Sequence, residues 1–278
     1  PGAVLADLLV SKTTAASFSQ SLFLDIVLKN EDKPASARKT VVGQVADLDP
    51  TFIICQIGLS DVLRYALTGG EVNEFLTSVD DFETLYTQLL DSLTLTGADI
   101  VVSNIPNIQN LAYFNTVPPY LFNFGSYELI LDDDGDPIPL IGVAENDLVL
   151  LSALDTLARG TGIPEEQNGK GDPLPEIFVL DSDERFELSV RINAFNDHIA
   201  SVAAARNFPL VDLNNFIAGL VVSGYVIPGY TFDGEFLRGG FFSLDGLHPT
   251  DAGNALIANL WIDVINDHFS AEIPPVNI

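Results

Sequence analysis

Residues 242–250, with the sequence FSLDGLHPT, place Asp245 three residues before His248, across a turn that contains Gly246. An aspartate that folds back over such a turn can accept the Nδ1 proton of the imidazole. This contact would fix the tautomer of the ring and stabilise the imidazolium that forms when the histidine takes a proton. The pair can therefore act as the general-base part of a nucleophilic mechanism. Because Asp-x-x-His is short and often arises by chance, a structural or surface role is the alternative.

The elements that must position this pair follow from the pattern of apolar residues. Three short apolar runs have the length of buried strands: 51–57, 99–105 and 208–213. Helical patterns lie between and after them: 82–93, a helix that opens at Asp181 with Glu184 as its capping-box partner, and a last helix after Pro249 that Thr250 and Asp251 can cap. Strands that alternate with helices predict an α/β fold with a mainly parallel sheet covered on both faces.

Residues from about 110 to 175 interrupt this alternation, since they are rich in Pro, Gly and Asp. We interpret them as an inserted loop and hairpin region over one edge of a single domain that spans residues 1–278. The acidic run 133–136 resembles a hairpin turn. A calcium loop of the EF-hand type does not fit, because Ile130 and Ile141 would occupy its first and last ligand positions. We therefore expect a solvated acidic turn.

The charge of the chain excludes several classes of partner. Lys and Arg number 12 against 39 Asp and Glu, and the resulting net charge of -27 would repel nucleic acid and anionic membrane surfaces.

No apolar run approaches the ~20 residues of a membrane span. Cys55 is the only cysteine, which excludes an internal disulfide and a cysteine-based zinc site. With one plausible reactive histidine, we expect neither a metal nor a cofactor.

Once its neighbours are considered, the segment around His248 resembles a known family. The run 245–250 (DGLHPT), with Gly253 just after it, is similar to the final signature block of the SGNH/GDSL hydrolases. That family carries Gly-x-Asn-Asp after a central strand, and the run 58–61 (GLSD) follows the predicted strand 51–57 here. The start of the chain, PGA, resembles the family block whose glycine donates an N–H to the oxyanion hole. The turn that begins at Asn104 resembles a loop of exported bacterial members.

The resemblance implies a three-layer α/β/α sandwich of the SGNH-hydrolase, flavodoxin-like type. It implies a lipase or esterase that acts on a small-molecule or lipid ester through a Ser-His-Asp triad. It also implies an exported bacterial protein that is periplasmic, outer-membrane-associated or extracellular. Three groups of residues receive roles from it: Asp245 and His248 as catalytic residues, Gly2 and Ser60 at the oxyanion, and Gly58, Asp61 and Asn104 near the site.

The chain departs from the family pattern at two points. The Gly-Asp-Ser block with the nucleophilic serine comes before the glycine block in the family, and no Gly-x-Ser-x-Gly elbow occurs in residues 1–278. We therefore expect the serine in an upstream segment that contacts this chain, and little activity from the chain alone. We also expect an exposed apolar strand edge beside residues 51–57, unless another segment covers it.

The second departure is Ser60, which stands where the family has asparagine. A serine hydroxyl can donate to an oxyanion, although it is shorter than the asparagine amide. The other interpretation is that Ser60 or Asp61 caps a helix over residues 62–67. A non-catalytic relative with a surface-binding or structural role is the alternative to an enzyme.

Overall fold

The computed structural model describes residues 2–19, 23–30 and 32–278. Within these ranges the α-helices are α1 (Leu5–Val10), α2 (Phe23–Leu28), α3 (Val41–Asp47), α4 (Ser60–Ala66), α5 (Val79–Thr94), α6 (Ala112–Asn115), α7 (Leu154–Ala158), α8 (Ser182–Arg206), α9 (Leu213–Ser223) and α10 (Asp251–Phe269). The β-strands are β1 (Phe52–Cys55), β2 (Asp99–Ser103), β3 (Phe122–Asn123), β4 (Glu128–Leu129), β5 (Leu148–Val149), β6 (Val179–Leu180), β7 (Leu210–Val211), β8 (Tyr225–Ile227) and β9 (Tyr230–Phe232). Across the described part of the chain, no helix combines the length and the apolar character that a membrane crossing requires.

The central sheet has the strand order β1-β2-β7 and is parallel throughout. Its three strands lie within the three predicted apolar runs, and each is shorter than its run. After β1 the chain turns at Gly58, which adopts φ +101°. After β2 it turns at Asn104, whose N–H still donates to the Val211 carbonyl (3.1 Å). The parallel sheet confirms the predicted α/β fold.

Helices cover both faces of this sheet. On one face Val102 belongs to the main hydrophobic cluster with side chains of α5 and α8. There the rings of Phe82 and Phe195 stack with their centroids 3.8 Å apart. On the other face Val101 packs with Trp261 of α10. Because side chains alternate along a strand, neighbouring residues of β2 reach both helix layers. The architecture is the three-layer α/β/α sandwich that the resemblance implied.

Two predicted helix starts are confirmed by their hydrogen bonds. At α8 the Asp181 carboxylate accepts from the N–H of Glu184 (2.9 Å), and the Glu184 carboxylate accepts from the N–H of Asp181 (2.9 Å). At α10 the hydroxyl oxygen of Thr250 accepts from the N–H of Gly253 (3.0 Å). The last helix therefore begins three residues after His248 and fixes the direction in which the chain leaves that residue.

The predicted cap of α4 is wrong. The helix begins at Ser60, and among the described residues no side chain caps it. The Asp61 carboxylate instead accepts from the N–H of Leu5 (3.0 Å) and from the hydroxyl of Thr77 (2.7 Å). Its side chain is only 1% exposed. Asp61 therefore joins the start of α1 to the start of α4 instead of capping its own helix.

In the part of the chain that the structure describes, β1 forms one edge of the central sheet. Ile54 lies in register with the buried Val101, so both side chains point to the same face of the sheet. Ile54 is nevertheless 57% exposed. Strands of a parallel sheet ordinarily have both faces covered. The exposed apolar edge that the sequence predicts beside residues 51–57 is therefore confirmed.

The predicted insertion, together with the following residues up to Leu180, forms short antiparallel pairs around a separate hydrophobic cluster. β3 pairs with β4, and β5 pairs with β6. The acidic run lies in a turn, as predicted, because Leu131 and Pro137 are bridged across it. The Asp132 carboxylate closes this turn by accepting from the N–H groups of Asp134 (3.0 Å) and Asp136 (2.9 Å).

The buried carboxyl group of Asp61 makes the stability of the fold depend on pH. Burial raises its pKa to about 6, and the charge of Asp7 also raises it, whereas the hydrogen bonds from Thr77 and Leu5 and the charge of Arg64 lower it. A carboxyl group with a higher pKa in the folded protein than in the unfolded chain binds more protons in the folded state. Its contribution to stability is present at low pH and is lost as the pH rises through about 6.

We expect Asp61→Asn to remove this part of the pH dependence, because asparagine keeps an acceptor oxygen for Leu5 but carries no charge. Between about pH 4 and about pH 7.5, the wild type should lose more free energy of unfolding than the variant, by about 1–3 kcal/mol. Urea denaturation at the two pH values measures this difference. The control is Asp133→Asn in the exposed acidic turn, which should behave as the wild type does. Equal losses in Asp61→Asn and the wild type would contradict the prediction.

Candidate active site

Backbone hydrogen bonds close the turn that carries His248. The Ser243 N–H donates to the His248 carbonyl (2.8 Å), and the Gly246 N–H donates to the Ser243 carbonyl (2.9 Å). Gly246 has φ +69°, and a Cβ there would lie 2.8 Å from the backbone nitrogen of Tyr113. The Tyr113 N–H donates to the Gly246 carbonyl (2.9 Å), so the insertion packs against the turn. Because glycine fits this position, the chain can fold Asp245 back towards His248.

Asp245 and His248 form the hydrogen bond that their spacing predicts, with 2.6 Å between Oδ2 and Nδ1. The other carboxylate oxygen accepts from the N–H groups of Leu247 (2.8 Å) and His248 (2.9 Å) and from the hydroxyl of Ser243 (2.8 Å). Partial burial raises the pKa of Asp245, but these hydrogen bonds lower it by more, so the pKa lies well below its usual range. A charged carboxylate at Nδ1 makes that nitrogen the donor and leaves Nε2 free to accept a proton.

His248 lies at the wall of a cavity of about 220 Å³ at the carboxyl edge of the sheet. Its side chain is 74% exposed, so the ring is accessible from solvent. Ligands of open α/β sheets bind at this edge. Apart from His248, the polar side chains of the wall are Gln56 and Asn104. The apolar residues of the wall come from the ends of β1, β2 and β7, the His248 turn and the helices beside it: Ile57, Leu59, Ile105, Pro106, Leu111, Leu213, Ile217, Phe241, Phe242, Leu247, Pro249 and Ile257.

Asn104 lines this cavity together with His248. Both the nitrogen and the oxygen of its side-chain amide are hydrogen-bonded to residues at the start of α9. Its Nδ2 donates to Asp212 Oδ1 (2.7 Å), and its Oδ1 accepts from the N–H of Asn214 (2.9 Å). Burial raises the pKa of Asp212, but hydrogen bonds from Asn104 and Asn215 lower it further, to below its usual range. Asn104 therefore ties the end of β2 to the start of α9 and holds one side of the cavity in place.

Glycine is favoured at Gly58 by its backbone conformation and by the limited space around it. A Cβ there would lie 2.7 Å from Cδ1 of Ile105 and 3.1 Å from the ring of Phe82. Its positive φ is also a conformation that side chains other than glycine rarely adopt. The tight turn places Leu59 at the cavity as the chain enters α4.

The two oxyanion candidates are not among the described residues that line the cavity. Ser60 occupies the first position of α4, directly after the lining residue Leu59. Gly2 precedes α1, and α1 is bound through the Leu5 N–H to Asp61. Asp61 thus anchors the segment that begins at Gly2 beside the start of α4. The oxyanion roles of Gly2 and Ser60 stay predictions.

Several residues that build the site were not singled out from the sequence. Phe241, Phe242 and Ile257 form part of the cavity wall, and Ser243 supports Asp245. The pair of phenylalanines directly before the His248 turn was an available signal. For residues 2–19, 23–30 and 32–278, no group of three or more His, Cys, Asp or Glu is arranged to hold a metal ion.

We expect the neutral ring of His248 to carry its proton on Nδ1, because the Asp245 carboxylate accepts from that atom. In Asp245→Asn the new amide can donate to Nδ1, which should shift the ring towards the tautomer protonated on Nε2. The ¹⁵N chemical shifts of the ring distinguish these tautomers. Asp251→Asn, an exposed carboxylate on α10, is the control and should leave them unchanged. The same tautomer in wild type and Asp245→Asn would rule out the proposed orientation of the ring.

Comparison with known proteins identifies the family of the chain. No curated protein matches the chain significantly. Among solved structures, the chain is similar to LAE5, an alpha/beta hydrolase enzyme from the metagenome of Lake Arreo, Spain. The identity is 13% and the TM-score 0.41, over 91% of this chain and 67% of that chain. The family model of the GDSL-like lipases and acylhydrolases matches residues 27–261, a range that contains both Asp245 and His248. The chain therefore belongs to the GDSL-like lipase/acylhydrolase family.

Proposed function

We propose that the protein hydrolyses carboxylic esters, as an esterase or lipase, with His248 as the general base and Asp245 as the residue that orients it. The observation that carries the proposal is the 2.6 Å contact between Asp245 Oδ2 and His248 Nδ1. This contact leaves Nε2 as the basic atom of the ring, beside a cavity whose wall is mainly apolar. Such a wall suits the acyl or alcohol part of a small-molecule or lipid ester.

The reaction would proceed by acyl transfer through a serine. His248 takes the proton of the serine hydroxyl as the serine oxygen bonds to the ester carbonyl carbon, and Asp245 stabilises the imidazolium. His248 then gives this proton to the leaving alcohol as the original ester bond breaks. A water molecule hydrolyses the acyl-enzyme by the same route. The N–H of Gly2 and the hydroxyl of Ser60 are the proposed donors to the oxyanion.

The proposal assigns the nucleophilic serine to a segment that precedes residue 1 in a longer, exported form of the protein. Residues 1–278 contain no Gly-Asp-Ser sequence. Within the described residues no strand pairs with the outer side of β1, and this supports the assignment, because an added parallel strand could pair there and cover the exposed Ile54. The carboxyl end of such a strand would lie at the same edge of the sheet as the His248 cavity.

In the longer form, His248→Ala should lower kcat/KM on short p-nitrophenyl esters by about 10⁴-fold or more, because the serine then lacks its base. The 278-residue chain alone should be nearly inert. Asp251→Asn is a control that should keep full activity. A longer form without His248-dependent hydrolysis would favour a non-catalytic binding or structural role, which is motivated by the serine at position 60 and by the absence of a Gly-Asp-Ser block from residues 1–278. Robust His248-dependent activity from the isolated chain would falsify the assignment of the serine to an upstream segment.

The oxyanion role of Ser60 has a separate test in the same longer form. Restoring the family residue with Ser60→Asn should raise kcat, by up to about 10²-fold, and leave KM nearly unchanged. Ser60→Ala should lower kcat by removing the hydroxyl donor. Both effects arise because a donor to the oxyanion acts mainly in the transition state. If neither substitution changes kcat, Ser60 is not an oxyanion donor, whereas the roles of His248 and Asp245 are unaffected.

A further inference from the structure

The insertion contains a second cavity, and this cavity shares no lining residue with the one at His248. Its volume is about 230 Å³. Side chains from residues 117–124 form one wall, and Leu154 and Leu157 of α7 form another. Tyr120 carries a hydroxyl, but every other lining residue among those described is apolar, and none carries a charge.

Backbone N–H and C=O groups of the cavity wall form hydrogen bonds with other residues of the insertion. The Leu121 N–H donates to the Ile138 carbonyl (2.8 Å), and the Leu121 carbonyl accepts from the N–H of Ile130 (2.9 Å). The Leu140 N–H donates to the carbonyl of Pro119 (3.0 Å). An ordered water needs two to four polar partners. Because these backbone groups are already paired, the cavity suits an apolar occupant better than water.

The aromatic side of the cavity is held in place by contacts with the rest of the protein. The Phe122 ring meets those of Phe124 and Tyr127 edge-on, with centroids 5.0 Å and 5.5 Å away. Tyr127 donates its hydroxyl to the Phe236 carbonyl (3.1 Å), and the Arg238 guanidinium lies 3.9 Å from the centroid of the Tyr127 ring. The wall is therefore preformed, so binding would require little ordering of the protein.

We propose that this cavity binds the uncharged hydrocarbon group of a small molecule, independently of ester hydrolysis at His248. Protein interiors are close-packed and have few voids larger than a water molecule. The cavity here, at about 230 Å³, is larger than an engineered apolar cavity of about 150 Å³ that binds benzene in another protein, and it opens to solvent beside the exposed Ala158. A fatty-acid carboxylate is disfavoured, because no cation lines the cavity within the described residues and the chain carries a net charge of -27.

The test is a titration of the 278-residue chain with n-butylbenzene, followed by the amide ¹H–¹⁵N chemical shifts and by Tm. Binding should shift the amides of residues 117–124 and 154–163, and Tm should rise with ligand concentration. Leu157→Trp fills the insertion cavity and should raise Kd by at least about tenfold. The matched variant Ile257→Trp fills the His248 cavity instead and should leave these shifts in place.

A charged ligand and a second filled variant complete the test. The charged ligand is octanoate, which should shift the same amides much less than n-butylbenzene does. If Leu157→Trp does not fold, Ala158→Phe at the exposed rim of the cavity replaces it with the same expected loss. The proposal is overturned if n-butylbenzene leaves the amides of the insertion unshifted. It is also overturned if binding persists in the filled variant, or if Ile257→Trp alone abolishes it.

Discussion

Parallel pairing of β1, β2 and β7 is the constraint on which the rest of the structure depends. Parallel strands end at one edge of the sheet, so segments that lie far apart in the sequence meet there. The turn at Gly58, the amide of Asn104 and the Asp212 cap of α9 are brought together in this way. The His248 turn follows no strand of this sheet; its place is fixed by α10, which begins at the Thr250 cap and packs on the opposite face from α5 and α8.

The features that could be predicted from the sequence are those in which the interacting residues are near neighbours along the chain. The Asp181–Glu184 capping box, the Thr250 cap and the Asp245–His248 hydrogen bond each span three residues. Apolar runs identified the three parallel strands, because a strand buried on both faces is apolar at successive positions. In each case the residue types determine the local geometry, and tertiary packing does not override it.

What the sequence did not predict depends on partners far away along the chain. Asp61 was interpreted as a helix cap, but its carboxylate binds the N–H of Leu5, 56 residues earlier. The wall of the His248 cavity combines Leu59, Phe242 and Ile257, which have no shared motif. The insertion cavity could not be predicted either, because its apolar residues are equally typical of a filled hydrophobic core. The cavity exists only because the folded segments leave space between them.

The carboxyl groups of Asp61 and Asp245 show that the pKa depends on hydrogen-bond donors as well as on burial. Asp61 is almost fully buried, and the loss of hydration outweighs its hydrogen bonds, so its pKa rises to about 6. Asp245 loses less hydration and is surrounded by donors from Ser243, Leu247 and His248, so its pKa falls. A carboxylate beside a general base must keep its charge to stabilise the imidazolium. The exposed, donor-rich turn meets that requirement, and a buried position such as that of Asp61 would not, because it would favour the neutral acid.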